Sequence, residues 1–234
     1  MDIKTVADIE AGAVGARARK WSAKTVATIA MLSVVAFLAK LVSNVLPEVA
    51  GFLSFDLRDI VIVIGGFICG PLVAAIIAVI TAVVEMLTIS STGPIGLVMN
   101  IVSSCSFAWV ASVIYQKNHS MKGAVVSLVT GVIVMTGVMV LWNYLITPLY
   151  MHVDRSVVAG MLLSVFLPFN LVKGGINATL TMLLYKPVVT ALRRAKLVEP
   201  ASGDSHGVKW TAMAVSALLL VSFALLALVL ADVI

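Results

Sequence analysis

Apolar runs long enough to cross a hydrocarbon core recur from residue 25 almost to the last residue. A membrane helix needs about 20 predominantly apolar residues. By that measure spans are expected near 25–46, 59–70, 71–89, 95–115, 122–147, 159–186 and 210–231. With 61% hydrophobic and 12% charged residues, a soluble domain of 234 residues has no interior large enough for this apolar surface. The expected fold class is therefore an all-α polytopic membrane protein. The second run is too short to cross alone, and Gly65, Gly66, Gly70 and Pro71 interrupt it. Broken segments persist in a membrane only where other protein covers the freed backbone groups. The second and third runs are thus expected to form a tight pair that turns at Gly70–Pro71.

Charge sets the expected orientation. Arg17, Arg19, Lys20 and Lys24 precede the first span, Lys117 and Lys122 separate the fourth from the fifth, and Lys186, Arg193, Arg194, Lys196 and Lys209 separate the sixth from the last. Positive residues favour the cytoplasmic side, which places the N-terminus inside. Arg58 and Arg155 then fall in outer loops, beside the acids Asp56, Asp59 and Asp154. Residues 1–24 read as a cytoplasmic segment without a cleavable leader, 25–190 as a six-span domain, 191–209 as a cytoplasmic linker, and 210–234 as an added apolar helix. The basic residues lie between spans rather than in a patch, which argues against nucleic acid as a partner. Cys69 and Cys105 read as packing residues, and His119, His152 and His206 as loop residues without ligand spacing.

The stretch FLPFNLVKGGINATL, Phe166–Leu180, is harder to reconcile with lipid. Asn170, Lys173 and Asn177 follow an i, i+3, i+7 spacing and so share one helix face. Pro168 suits a helix start, and Gly174 and Gly175 permit close approach of a backbone or a flat ligand. Glu85 near the end of the third span, Asn100 and Asn143 fall toward the same side of the membrane. Charges within spans cost about 2.5–3.5 kcal/mol each and usually face a bundle interior or a cavity. One reading is structural: Glu85 paired with Lys173, with the asparagines joining helices. Another has Lys173 snorkelling to the interface. A third is an outward-facing pocket for a small polar-aromatic solute, favoured by the gathering of polar groups at one depth. Trp142, Tyr144 and Tyr150 cluster beside Asn143 and suit either an interfacial belt or stacking on a ring; Trp21, Trp109 and Trp210 suit the belt at the other side.

The segments FDLRDIVIVIGGFICGPLVAAIIAVITAVVE, STGPIGLVMN, LWNYLITPLY and PFNLVKGG, in this order and spacing, resemble the riboflavin-binding S component (the RibU type) of energy-coupling factor vitamin transporters. The resemblance covers residues 25–190. It implies a six-helix S-component bundle, here with a seventh C-terminal helix that has no counterpart in the core. It also implies capture of riboflavin from outside, with no enzymatic activity and no resident cofactor, since riboflavin is the cargo. The implied partners are a transmembrane coupling subunit and two ABC ATPases. Asn143, Asn170 and Lys173 match the residues that meet the polar edge of the ring, Glu85 matches an acid of the pocket, and SFDLRD matches the loop that closes over it. Asn100, Asn177, Trp142 and Tyr144 complete the candidate set.

Docking on the partner is expected through small residues of the first span, Ala23, Ala27 and Ala30; Val34 stands where the family's motif has an alanine. Pro94 likewise replaces a glycine in TGP. A neighbouring vitamin or a nucleobase-like solute is the alternative cargo. A membrane enzyme is disfavoured, because the chain has no nucleophile–base pair and no metal-binding spacing. It also has no phosphate loop, so ATP must be used elsewhere. The last span, AMAVSALLLVSFALLALVL, offers a pocket no polar group, and binding is expected to survive its removal.

Overall fold

The computed structural model describes residues 22–197 and 210–232, and these form helices joined by short connections. The helices are α1 (Ala23–Ser43), α2 (Arg58–Cys69), α3 (Pro71–Thr88), α4 (Gly93–Lys117), α5 (Met121–Met151), α6 (Arg155–Met161), α7 (Leu167–Arg194) and α8 (Trp210–Leu230). A π-helical turn, Leu162–Phe166, joins α6 to α7. Six segments are long and apolar enough to span a membrane: α1, α3, α4, α5, the continuous run 155–194, and residues 213–230 of α8. The all-helical expectation of six bundle elements and a seventh C-terminal helix holds. The segment 1–21, the linker residues 198–209, and with them Arg17, Arg19, Lys20, Trp21, His206 and Lys209, lie outside the described residues.

Local chemistry explains most boundaries. Ser22 caps α1 by accepting from the Thr25 N–H at 3.1 Å, and Ser120 caps α5 by accepting from Gly123 at 3.0 Å. At twelve residues α2 is only about 18 Å long and cannot cross. It turns into α3 at Gly70, whose φ of 103° suits glycine, and Pro71 opens α3. The expected α2–α3 pair is therefore present. Its closeness depends on Gly66, where a Cβ would lie 2.0 Å from Ser112 Oγ and 2.8 Å from the Ala74 Cβ. The expected span 159–186 is wound differently. Pro168 has no N–H to offer the carbonyl four residues back and its ring crowds that carbonyl. The chain ahead of it takes the wider π turn, a local form common at functional sites.

The main core is built from α1 through α5, including Leu32, Ile62, Val63, Ile77, Phe107 and Met135, and is joined by Leu192 of α7. A second, smaller cluster joins Val49 and Phe55, from the segment between α1 and α2, to Phe169 and Val172 of α7 and Ala227 of α8. Helix direction alternates through the bundle. The connections 44–57, 89–92 and 152–154 therefore share one end, and Lys24, Lys117, Lys122, Arg193 and Arg194 lie toward the other.

Candidate functional site

A cavity of about 300 Å³ lies at the end that carries the 44–57 connection. That volume is at the lower limit of small-molecule pockets, roughly 300–1,000 Å³. The 44–57 connection supplies more of its wall than any helix. Ser43 Oγ, in the last turn of α1, accepts from the Leu57 N–H at 2.9 Å and so closes the base of this connection. Within it, Val49 and Leu53 exchange backbone hydrogen bonds at 2.9 and 3.0 Å. Phe52 lines the cavity and meets Phe166 edge-on, with centroids 6.0 Å apart. Phe55 packs on Phe169, another wall residue, at 5.2 Å.

Five candidate residues surround this space: Glu85 of α3, Asn100 of α4, Asn143 of α5, and Asn170 and Lys173 of α7. Asn143 and Asn170 are each anchored to their own helix. Asn143 donates to the Met139 carbonyl at 2.7 Å and accepts from Thr147 Oγ1 at 2.8 Å; Asn170 donates to the Phe166 carbonyl at 2.8 Å. One N–H of each carboxamide is thereby used in fixing its orientation, and the second N–H has no partner among the described residues. Met99 and Met139 add flexible apolar surface to the wall.

The other three candidates are placed elsewhere. Asn177 is buried, and its Nδ2 donates to the Asp56 carbonyl at 2.9 Å, tying α7 to the 44–57 connection. Trp142 packs against the main core, and Tyr144 is 37% exposed with the Arg155 guanidinium 5.5 Å from its ring. Neither aromatic lines the cavity. Gly174 and Gly175 also receive helices rather than a ligand: Val132 and Met135 of α5 crowd the first, and Phe223 of α8 the second. Ala23, Ala27 and Ala30 lie exposed along one side of α1, with Val34 on the same stripe.

Glu85 does not pair with Lys173. Its carboxylate is held by the Arg58 guanidinium, by Lys40 Nζ at 3.6 Å and by Asn100 Nδ2 at 2.8 Å. Arg58 also reaches Asp56 at 2.9 Å, and Lys40 lies 3.9 Å from the same carboxylate. Asp59 accepts from the Ser104 hydroxyl. Two carboxylates, Asp56 and Glu85, thus balance two cations, Lys40 and Arg58. Buried charges persist only when paired and hydrogen-bonded in this way. The arrangement pins α1, the 44–57 connection, α2 and α3 together beneath the cavity.

Lys40 and Asp56 are wall residues that sequence reasoning did not single out. Lys40 carries the same signal as Glu85 and Lys173, an ionisable group inside an apolar span. Asp56 and Arg58 read as outer-loop residues, since a loop sequence does not reveal its own burial.

Residues 24–185 match the family model of the ECF transporter, substrate-specific component. The riboflavin transporter RibU of Staphylococcus aureus (strain TCH60) is 30% identical over 177 residues, covering 73% of this chain and 93% of that protein. The riboflavin transporter FmnP of Bacillus subtilis (strain 168) is 30% identical over 191 residues, covering 74% of this chain and 98% of that protein. A solved S component of a bacterial ECF transporter superposes with a TM-score of 0.61 at 29% identity, covering 73% of this chain and 98% of that one.

Proposed function

The chain belongs to the substrate-specific component family of ECF transporters, and from that premise we propose that it is the membrane subunit that captures riboflavin in the cavity beside the 44–57 connection. The observation that carries the reading is the grouping of Asn143, Asn170 and Lys173 around one space with Phe52, Phe169, Met99 and Met139. An isoalloxazine ring has an apolar dimethylbenzene end and a uracil-like edge, an N–H between two carbonyls. A carboxamide both donates to and accepts from such an edge, and an ammonium donates to a carbonyl. A solute lacking those groups leaves the carboxamides unpaired in a water-poor site, which is the basis of discrimination. The ribityl hydroxyls suit Glu85 and Asn100, and Asn177 supports the wall from outside through its bond to Asp56.

In this reading the cavity faces outward and the N-terminus is cytoplasmic. The cluster of Lys24, Lys117, Lys122, Arg193 and Arg194 at the opposite end supports that orientation. Residues 25–190 form the capture domain, 191–209 a cytoplasmic linker and 210–234 the added helix. The exposed stripe of Ala23, Ala27 and Ala30 is the docking face for a transmembrane coupling subunit, and two ABC ATPases supply the energy.

Lys173→Ala and Asn170→Ala test the assignment. Removing a hydrogen bond that involves a charged group costs about 1.5–3 kcal/mol, equivalent to roughly ten- to a hundredfold in affinity. Fluorescence titration is expected to show weakening of that order for Lys173→Ala, and a smaller loss for the neutral amide. Wild-type affinity in a folded Lys173→Ala protein would remove the lysine from the site.

A further inference from the structure

The match to the family model ends at residue 185, so α8 lies beyond it. Much of α8 faces outward, with Leu218, Val221, Leu225 and Val229 exposed. Its other face does not. The Phe223 ring lies against Gly175, where a Cβ would stand 2.5–2.7 Å from ring atoms. One turn later Ala227 is buried among Val49, Phe55, Phe169 and Val172, with Leu230 and Ala231 packed on the same cluster. Val49 and Phe55 belong to the connection that borders the cavity, Phe169 is part of the cavity wall, and Val172 precedes Lys173. The end of α8 therefore supports the binding site from behind.

We propose that α8 is a brace for the cavity. Phe223 and Ala227 act as positioning residues that hold the 44–57 connection and Phe169 in place, so that α8 governs how long a bound solute stays. The polar recognition belongs to other residues, since α8 contributes nothing to the cavity lining. The connection has little structure of its own. Asp56 at its end is anchored by Arg58, Lys40 and Asn177, but residues 47–55 have only the Val49–Leu53 pair and the Phe52 N–H to the Val49 carbonyl as hydrogen bonds among the described residues, and otherwise rest on apolar packing. Segments so held open locally at low free energy, and opening of such a segment gates release. Seating Phe55 and Val49 on Ala227 removes apolar surface that opening would expose.

The test uses the full chain in nanodiscs. Gly175→Ala places a methyl against Phe223 and pushes α8 off the cluster; Gly175→Ala with Phe223→Leu relieves that clash. Backbone amide exchange over residues 49–55 is expected to accelerate about tenfold in the single variant and return to within about threefold of wild type in the pair. Dissociation of riboflavin should follow the same pattern while association stays within about twofold. Phe223→Ala, which leaves α7 untouched, should also accelerate exchange, so the proposal stays testable where Gly175→Ala fails to fold. Exchange at the wild-type rate in Phe223→Ala, or acceleration in Gly175→Ala that Phe223→Leu does not reverse, overturns the brace. Only the release measurement rests on the riboflavin reading. A wild-type protein that binds no flavin removes that reading and leaves the exchange measurement to decide the brace.

Discussion

Arg58→Ala is expected to destabilise the protein by about 3–5 kcal/mol, the cost of breaking a buried ion pair from one side. Arg58 is 2% exposed and holds Asp56 at 2.9 Å as well as the Glu85 carboxylate. With it gone, Asp56 and Glu85 share Lys40, which is 3.9 and 3.6 Å away. The four-charge group is then left with one uncompensated negative charge. Glu85 and Asp56 also line the cavity, so affinity for the solute should fall together with stability. Arg58→Lys keeps the charge but not the planar fork that serves two carboxylates at once, and an intermediate loss is expected. Thermal unfolding of the purified variants measures both. A wild-type midpoint for Arg58→Ala would mean that the cluster is not the tie between α1, α2 and α3.

Ala27→Trp is expected to abolish uptake in cells while leaving binding by the isolated subunit within about twofold of wild type. Ala27 is exposed on α1, between Ala23 and Ala30 on the same stripe. Small residues at such positions let a second helix approach closely, and an indole there holds the two backbones apart. The position is toward the end of α1 opposite Lys40 and the cavity, so the solute site is not disturbed. Uptake of labelled riboflavin, co-purification with the coupling module and a binding titration separate the possibilities. Loss of binding and docking together would make this stripe part of the bundle's own packing. Normal uptake would place docking on another face.

Polar residues inside apolar runs made part of the candidate site legible in the sequence. Glu85, Asn100, Asn143, Asn170 and Lys173 stand out because lipid tolerates such groups poorly, and the structure sets all five around one cavity. The α2–α3 turn was equally legible, since Gly70–Pro71 carries its conformation locally. The partner of Glu85 was not. Arg58 is 27 residues away and its sequence neighbours suggest a solvated loop. The roles of Phe52 and Phe169 were hidden for the opposite reason, because an aromatic residue in an apolar chain carries no mark of facing a cavity. The same holds for α8, where Phe223 and Ala227 look no different from lipid-facing residues. Composition distinguishes oil from water, but a helix–helix contact and a helix–lipid contact are both oil. The π turn before Pro168 shows a further limit: the proline announces a disturbance, and the surrounding packing decides whether the helix stops or widens.

In the proposed binding mode, riboflavin lies between Asn143, Asn170 and Lys173. Titration of riboflavin with the purified wild-type chain, followed by flavin fluorescence, tests it most directly. Saturable quenching with one site per chain is expected, because a ring held against protein groups and shielded from water changes its emission. Quenching should weaken in Lys173→Ala. A folded wild-type protein that leaves the fluorescence of riboflavin and of other flavins unchanged at every concentration would contradict it.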